Sequence, residues 1–399
     1  MEYISPQQAC AQLKKIADFG RNEDGSYTRL CFAKEYFAAL HAVQLEMESL
    51  GMNPQTDPVG NLHGVYAGSD HNAPKLVLGS HMDTVPCGGL FDGAFGVAAA
   101  LCALHTLQKS GGVLRHPIEL WGFNAEEANP MGGTFGSRAA VGLCAESEAL
   151  CETLAAYGLT LQELRAARHD FSDGCCYLEL HIEQGPTLDE EKIQIGAVSG
   201  IVGLWRYQIT AHGQSNHAGT TRMKGRRDAM VGMAKLIVQA TQAAGELDDA
   251  LVLTVGTISL HPGNPAVIAD EVSACFEIRH LDATVAQRML CRINALAEQI
   301  PDAAFTIEPI VAKLPTRCDR RIVNCVQTAC RQLGKSCLVM PSGATHDAVS
   351  MGQKLPTGMI FIPSRGGISH NGAEFSSNEA LADGANTLLQ TLLLLDEAF

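Results

Sequence analysis

Apolar and polar residues recur at two spacings along the first half of this chain. Apolar side chains three and four positions apart predict amphipathic helices, and Ser5 fits the N-cap of the first helix. These helices are expected over residues 5–20, 29–50 and 93–110. Short runs of β-favouring residues predict strands over residues 60–66, 76–79, 118–124 and 177–181. Strands that alternate with helices are typical of an α/β fold, here a mixed, mostly parallel sheet with helices on both faces.

The pattern changes after residue 204. Alternating strands and helices follow in the order βαββαβ, and these strands are expected to be antiparallel. This order predicts a separate, smaller α+β domain over residues 205–317. A helix, a strand and a final apolar helix then resume the first pattern. Residues 1–204 and 318–399 are therefore predicted to form one α/β domain into which the smaller domain is inserted.

The composition argues against several classes of protein. The chain has 399 residues, enough for two domains, and its 46% hydrophobic and 18% charged residues are ordinary for a soluble globular protein. A net charge of −14 argues against nucleic acid and membrane as partners. No apolar run has transmembrane length, and the start lacks a signal-peptide pattern. The fourteen cysteines show no disulfide-scaffold spacing, so we expect reduced thiols and a cytoplasmic location.

Metal-binding side chains cluster where the predicted strands end. They are His81, Asp83, Asp92, Glu126, Glu127 and His181. Imidazole and carboxylate groups are ligands for divalent transition metals, and metal-assisted hydrolysis needs a carboxylate ligand and a separate general base. A pair of adjacent glutamates could supply both. Taken one at a time, however, these residues also fit ordinary polar loops and a solvated charge pair.

Five segments together resemble the M20 metallopeptidase-like hydrolases, specifically the amidase, hydantoinase and carbamoylase branch. The segments are GSHMDTVPCGGLFDG (79–93), Glu126-Glu127, LELHIEQGP (178–186), GQSNHAGTTRMKGRRDA (213–229), and SGATHDA (342–348) with PSRGGISHNGAE (363–374). Their order and spacing agree over almost the whole chain. The branch includes N-carbamoyl-L-amino acid hydrolases, allantoate and ureidoglycolate amidohydrolases and some β-ureidopropionases. HIEQGP and NHAGTT distinguish it from general M20 aminopeptidases and deacetylases.

The resemblance implies a site for two divalent metal ions. His81 and His181 would bind one ion, Glu127 and His370 would bind the other, and Asp92 would bridge the two. Ions that share a carboxylate lie close together and can share a hydroxide, whose pKa each of them lowers. Zinc or manganese is the expected metal, with nickel and cobalt as alternatives.

The resemblance also implies roles around the metals. Glu126 would be the general base, and Asp83 would orient His81. His217 would reach the site of a neighbouring subunit and polarise the scissile carbonyl, and Arg279 would pair with the substrate carboxylate. The remaining residues implied to contact substrate are Gln184, His346, Gly343 and Gly367.

Two departures from the branch concern substrate recognition. The glutamate pair is followed by Ala128–Met131, where the branch commonly has a Gly-Ser-Arg-Phe-like run. Ala266 stands thirteen residues before Arg279, where the branch usually has an asparagine, and Asn264 is out of register. Arg222, where proline is commoner, is a further local difference. We therefore expect intact metal chemistry and altered recognition.

The function implied by the resemblance is metal-dependent hydrolysis of a carbamoyl C–N bond. The substrate would be a small, anionic N-carbamoyl-L-amino acid or a related ureido acid such as allantoate, and the enzyme would be a homodimer formed through residues 205–317. One alternative is an M20 dipeptidase or aminoacylase that acts on ordinary peptide or N-acyl amides. A second is a binding protein without metal chemistry, which would be expected to lack a ligand or the base.

Overall fold

The computed structural model describes residues 3–399. The chain forms two compact units, one of Met1–Ile201 with Arg317–Phe399 and one of Val202–Thr316. In chain order the elements are α1 (Pro6–Ala17), α2 (Lys34–Ser49), β1 (Gln55–Thr56), β2 (Leu62–Tyr66), β3 (Lys75–His81), α3 (Ala94–Lys109), β4 (Ile118–Phe123), α4 (Phe135–Ala140), α5 (Glu148–Ala156), α6 (Leu161–Ala166), β5 (Gly174–Ile182), α7 (Thr187–Glu191), β6 (Ile195–Ile201), β7 (Gly203–His212), α8 (Ala229–Leu247), β8 (Val252–His261), β9 (Glu271–His280), α9 (Ala283–Gln299), β10 (Ala304–Lys313), β11 (Thr316–Arg317), α10 (Arg320–Leu333), β12 (Cys337–Ser342), α11 (Asp347–Met351), β13 (Thr357–Ile362) and α12 (Asn378–Ala398).

The sheet of the first unit has four adjacent parallel strands at its centre. The strand order is β1-β2-β4-β3-β5-β13-β6-β11, and β12 also pairs with β6. Strands β4, β3, β5 and β13 run in the same direction, whereas the β2–β4 and β13–β6 pairs are antiparallel. The predicted mixed, mostly parallel sheet is therefore confirmed. Because the four central strands are parallel, their carboxyl ends lie along one edge.

Alternate residues of the central strands face two separate cores. Leu76 and Leu78 of β3 belong to a core that also contains buried residues of α1, α3, α10 and α12. Val77, between them, belongs to a second core with Trp121 of β4 and Tyr177 of β5. Side chains of successive strand residues point to opposite faces, so apolar residues at every position bury both faces of the sheet.

The second unit is a four-stranded antiparallel sheet with two helices. Its strand order is β10-β7-β9-β8, and every pair in it is antiparallel. Alternating residues of β9 (Val272, Ala274, Phe276 and Ile278) share a core with buried residues of α8 and α9. The predicted βαββαβ order is confirmed.

One predicted helix begins later than the sequence pattern indicated. The helix expected over residues 29–50 is α2, which begins at Lys34. Arg29 instead lies fully buried in a loop, where its guanidinium donates to Met82 O (2.5 Å) and Ala17 O (2.7 Å). These carbonyl contacts hold the segment before α2 in a non-helical path. The first helix agrees with the prediction, since Ser5 caps α1 reciprocally with Gln8.

No helix among residues 3–399 has both the length and the apolar character that crossing a membrane requires.

Candidate active site

Four neighbouring parallel strands bring the predicted metal ligands to one edge of the sheet. His81 ends β3, and His181 is the penultimate residue of β5. The Glu126-Glu127 pair follows β4, and His370 lies in the loop after β13. The ligands therefore come from distant parts of the sequence and meet because their strands are adjacent and parallel.

The two carboxylate oxygens of Asp92 face two different groups of side chains. Oδ1 lies 3.2 Å from Nε2 of His181 and 3.7 Å from Nε2 of His81. Oδ2 lies 3.3 Å from Nε2 of His370, and this nitrogen is 3.4 Å from Oε2 of Glu127. Within each group the possible ligand atoms all lie within 4.8 Å of one another. Asp92 is thus positioned to share one carboxylate between two cations.

Backbone carbonyls fix the tautomers of the two buried histidines. Nδ1 of His81 is 3.0 Å from the carbonyl of Asp83, and Nδ1 of His181 is 2.9 Å from the carbonyl of Ile182. An Nδ1–H that donates to a carbonyl leaves the lone pair on Nε2. In both rings Nε2 is the atom that faces Asp92.

Unsatisfied buried oxygens show that this donor set suits cations. Among the described residues, Asp92 Oδ1 and Glu127 Oε1 are buried without a hydrogen-bond partner. Burial, and then the neighbouring Asp92 carboxylate, raise the pKa of Glu127 to about 7. Burial also raises the pKa of Glu126 well above its usual value, against the opposing effect of His81. Divalent cations would bind the unsatisfied oxygens and neutralise the crowded carboxylates.

Glu126 is buried beside the first group without belonging to it. Its Oε2 lies 3.8 Å from Nε2 of His81. The two carboxylate oxygens of Asp83 accept hydrogen bonds from the backbone N–H groups of Glu126 (3.1 Å) and Glu127 (3.2 Å). Asp83 therefore holds the glutamate pair, and its contact with His81 is through its carbonyl. Asp83 Oδ1 lies 3.7 Å from Nδ1 of His81, beyond hydrogen-bonding distance, so the ring is oriented by its hydrogen bond to the Asp83 carbonyl.

Glu374 supports Asp92 and was missed by the sequence analysis. Its Oε1 accepts from the backbone N–H groups of Phe91 and Asp92, each at 3.1 Å, and its Oε2 accepts from Ser369 Oγ at 2.8 Å. Glu374 ends the PSRGGISHNGAE segment, so the only signal was its place in the same motif as His370.

Glycine is required beside the first histidine. At Gly93 φ is +63°, and a Cβ built there would lie 2.4 Å from the His81 ring. Three non-glycine residues near the ligands also have positive φ, namely Ala125, Gln184 and His370. Positive φ strains residues with a Cβ, and such strain is concentrated at functional sites.

The residues of the first unit that are expected to contact substrate differ in their surroundings. The amide of Gln184 donates to Asp92 Oδ2 at 2.9 Å, so it supports a predicted ligand. His346 is buried, with Nε2 2.8 Å from Ser342 Oγ and its ring 4.4 Å from that of His181. At Gly367 φ is +69° and a Cβ would meet Pro186 N at 2.7 Å, whereas a Cβ at Gly343 would meet open space.

The loop that departs from the family pattern after the glutamate pair is internally braced. Asn129 donates from Nδ2 to the carbonyls of Ala125 (2.9 Å) and Glu127 (2.7 Å). The guanidinium of Arg138 donates to the carbonyl of Met131 at 2.7 Å. Residues 129–132 therefore form a hydrogen-bonded turn that Asn129 ties to the backbone of Glu127.

In the second unit, the two predicted functional residues are held by neighbours on the same unit. His217 is exposed, and its Nδ1 accepts from the backbone N–H groups of Gly219 (3.1 Å) and Thr220 (3.2 Å). The proton of neutral His217 therefore sits on Nε2, which makes that atom a donor. Nε of Arg279 donates to Glu277 at 2.7 Å.

Ala266, where the branch usually has an asparagine, lies beside the segment that carries His217. Ala266 accepts a backbone hydrogen bond from Ala218 N at 2.9 Å. The side chain of Asn264 accepts from Ala266 N at 2.9 Å. Asn264 therefore caps its own turn.

Comparisons with known proteins agree with this architecture over nearly the full length. The sequence profile of Peptidase family M20/M25/M40 matches residues 77–394. N-carbamoyl-L-amino acid amidohydrolase of Geobacillus stearothermophilus is 35% identical over 402 residues, covering 98% of each chain. Allantoate amidohydrolase of Bacillus subtilis (strain 168) is 35% identical over 402 residues, covering 95% of each chain. A solved amidase of the hydantoinase/carbamoylase family from Burkholderia multivorans has a TM-score of 0.88 at 30% identity, covering 98% of both chains. The chain therefore belongs to peptidase family M20/M25/M40, a family of metal-dependent hydrolases.

Proposed function

We propose that this protein is an amidohydrolase with two metal ions that cleaves the carbamoyl C–N bond of an N-carbamoyl-L-amino acid or a related ureido acid such as allantoate. The observation that carries the proposal is the division of the Asp92 oxygens between two histidine-containing groups. The substrate class is supported by full-length similarity to enzymes named for N-carbamoyl-L-amino acids and for allantoate.

The residues of the first unit have complementary roles in this reaction. His81, His181 and Asp92 would hold one cation, and Asp92, Glu127 and His370 would hold the other. Zinc and manganese both suit this donor set, and when bound such cations lower the pKa of water and stabilise negative charge on the carbonyl oxygen. Glu126 accepts a proton from the attacking water and returns it to the departing nitrogen. The products of a carbamoyl substrate are the free amine, carbon dioxide and ammonia.

The second unit supplies substrate recognition in this proposal. Arg279, oriented by Glu277, pairs with the substrate carboxylate. His217 donates from Nε2 to the scissile carbonyl of a substrate in the partner's site, because its Nδ1 is already an acceptor. The protein is then a homodimer formed through residues 205–317. The fourteen free cysteines support a reducing compartment such as the cytoplasm.

The proposal is tested by measuring ammonia release from metal-reconstituted protein. The panel contains several N-carbamoyl-L-amino acids, allantoate, ureidoglycolate and β-ureidopropionate, with the matching N-acetyl amino acids and dipeptides as comparison. Ammonia from a ureido compound is expected. Amine release from the acetyl compounds or dipeptides alone would instead identify an ordinary amidase and would contradict the carbamoyl assignment.

The role of Arg279 is tested on the same panel. Arg279→Ala should raise KM for carboxylate substrates by about 10- to 100-fold, because a charge-assisted pair is lost. Arg206→Ala is the matched control, since Arg206 also contacts Glu277, at 2.5 Å, but has no assigned role. Equal KM values for the parent and Arg279→Ala would remove Arg279 from substrate binding.

A further inference from the structure

A second cluster of metal-binding side chains lies away from the candidate active site. It consists of His63 on β2, Glu119 on β4 and His169 in the segment before β5. Their possible ligand atoms all lie within 4.8 Å of one another. Glu119 is the second residue of β4, whereas Glu126 follows the other end of that strand. The part of β4 from Glu119 to Phe123 alone rises about 13 Å, so the two clusters are separate.

The spacing of the three side chains matches that of ligands on one small cation. Oε1 of Glu119 lies 3.1 Å from Nδ1 of His63 and 3.3 Å from Nε2 of His169. Ligand atoms on a tetrahedral zinc ion, each about 2.1 Å from the metal, are roughly 3.4 Å apart. The three atoms can therefore move onto one ion with little rearrangement.

Hydrogen bonding accounts for only one of the two imidazole contacts. The contact between His63 and Glu119 has hydrogen-bond geometry. Nε2 of His169 is buried and, within residues 3–399, has no hydrogen-bond partner despite its approach to Glu119. A buried ring nitrogen without a hydrogen-bond partner calls for a water or an ion beside it, and the neighbouring carboxylate and imidazole favour an ion.

The surroundings fix the two rings and leave one carboxylate oxygen for an ion. The His63 ring stacks on Trp121 at 4.3 Å, and the His169 ring meets the same indole edge-on at 5.0 Å. Lys75 Nζ lies 3.3 Å from Oε2 of Glu119, so it engages the oxygen that faces away from the histidines.

We propose that His63, Glu119 and His169 form a second metal site, which takes a zinc ion or a similar divalent cation. Two imidazoles and one carboxylate are a zinc donor set, and water would complete the tetrahedron. The side chains of His63 and His169 are 17% and 24% exposed, which gives an ion a route from solvent. The ion would tie β2 and β4 to the segment before β5.

The test is the number of zinc ions per chain after dialysis against buffer containing a fixed micromolar zinc concentration. His169→Asn and His63→Gln should each bind one zinc ion fewer than the parent. Lys75→Gln is the matched control, because it removes a neighbour of Glu119 but no ligand, and its zinc content should equal that of the parent. Equal zinc content in the parent and in both histidine variants, each folded by circular dichroism, would overturn the proposal.

A second measurement separates this site from the active site. Asp92→Ala removes the carboxylate common to both active-site groups. Titrated with Co²⁺, this variant should still bind one ion and show the visible absorption of four-coordinate cobalt, and the added His169→Asn change should abolish that absorption. Absence of the band in the Asp92→Ala protein would refute the site without bearing on the proposed hydrolysis.

Discussion

Asp83 shows how one buried residue can position several functional groups. Its carboxylate holds the backbone of Glu126 and Glu127, while its carbonyl fixes the His81 ring. Adjacent residues leaving a strand point in different directions. With the backbone held, one glutamate faces His370 and the other lies beside His81. Two chemically identical side chains can thereby take the roles of ligand and base.

Glu126→Gln should separate these two roles. We expect unchanged metal content and at least a 100-fold lower kcat, because the amide keeps the shape of the side chain but cannot accept the proton. Metal content by atomic emission and ammonia release by the same preparation are the measurements. Glu190→Gln, at an exposed position, is the control for the substitution itself. Appreciable turnover by Glu126→Gln would remove it as the base.

Gly93→Ala should displace the His81 ring by steric overlap and so disrupt the first group of ligands. The new methyl group would press on the His81 ring, and the positive φ would add strain. We expect loss of at least one bound ion per chain, with the circular dichroism spectrum retained. Gly245→Ala is the control, since a Cβ there meets open space within α8, and it should preserve the metal content. Parental metal content in Gly93→Ala would contradict the geometric argument.

At this scale the sequence identified residues with a recognisable chemical pattern and missed those defined by tertiary contact. His81 and His181 lie at the ends of strands and the glutamate pair follows a strand, all within recognisable motifs, so the sequence could single them out. The support that Glu374 gives to Asp92 depends on a contact across 282 positions of sequence, which no local pattern encodes. The burial of His346 behind His181 depends in the same way on the packing of α11.

The secondary-structure elements were predictable wherever burial followed a simple period. The capped helix α1 and the strands β3 and β4 agree with their patterns. The start of α2 disagrees with its pattern. Arg29 fits the helical spacing of apolar and polar residues, yet its guanidinium donates hydrogen bonds to carbonyls of other segments. A buried arginine whose hydrogen bonds go to carbonyls distant in sequence leaves no periodic pattern in the sequence.

Arg29→Lys should therefore destabilise the first unit. A lysine ammonium cannot reach the carbonyls of Ala17 and Met82 in the fork geometry of a guanidinium, and we expect a loss of about 2–4 kcal/mol in the free energy of unfolding. Urea unfolding is followed by fluorescence in a Trp205→Phe background, where Trp121 is the remaining tryptophan. Arg320→Lys, at an exposed position, is the control. Equal unfolding free energies would mean that Arg29 does not hold this loop.

At the scale of the whole molecule, two units carry different parts of the proposed reaction. The first contains the candidate ligands and Glu126, and the second contains His217 and Arg279. The change from a mixed to an antiparallel sheet was visible in the sequence, because the spacing of apolar residues along the strands differs between the two sheets. Assembly with a partner subunit leaves no comparable periodicity in the sequence. The expectation of a homodimer therefore rests on the resemblance alone.

Complementation of two inactive variants would test the role of His217 in a partner's site. Co-expression of Glu126→Gln with His217→Ala should give heterodimers with one intact site. Random pairing of the two variants makes about half of the dimers heterodimers, and each of these has one intact site of two. About a quarter of the parental activity should therefore return. Each variant expressed alone is the control. Activity no greater than that of the separate variants would place His217 in the site of its own subunit, or outside the site.

The central position of β13 has a consequence for how the chain becomes an enzyme during synthesis. This strand lies between β5 and β6, yet it is made after the whole of the second unit. A nascent chain that ends before residue 357 already carries His81, Asp92, Glu127 and His181, but β5 and β6 lack the strand between them and His370 is absent. Addition of β13 fills that gap, and His370 follows eight residues after the strand ends. The full set of candidate metal ligands is therefore present only when translation is nearly complete.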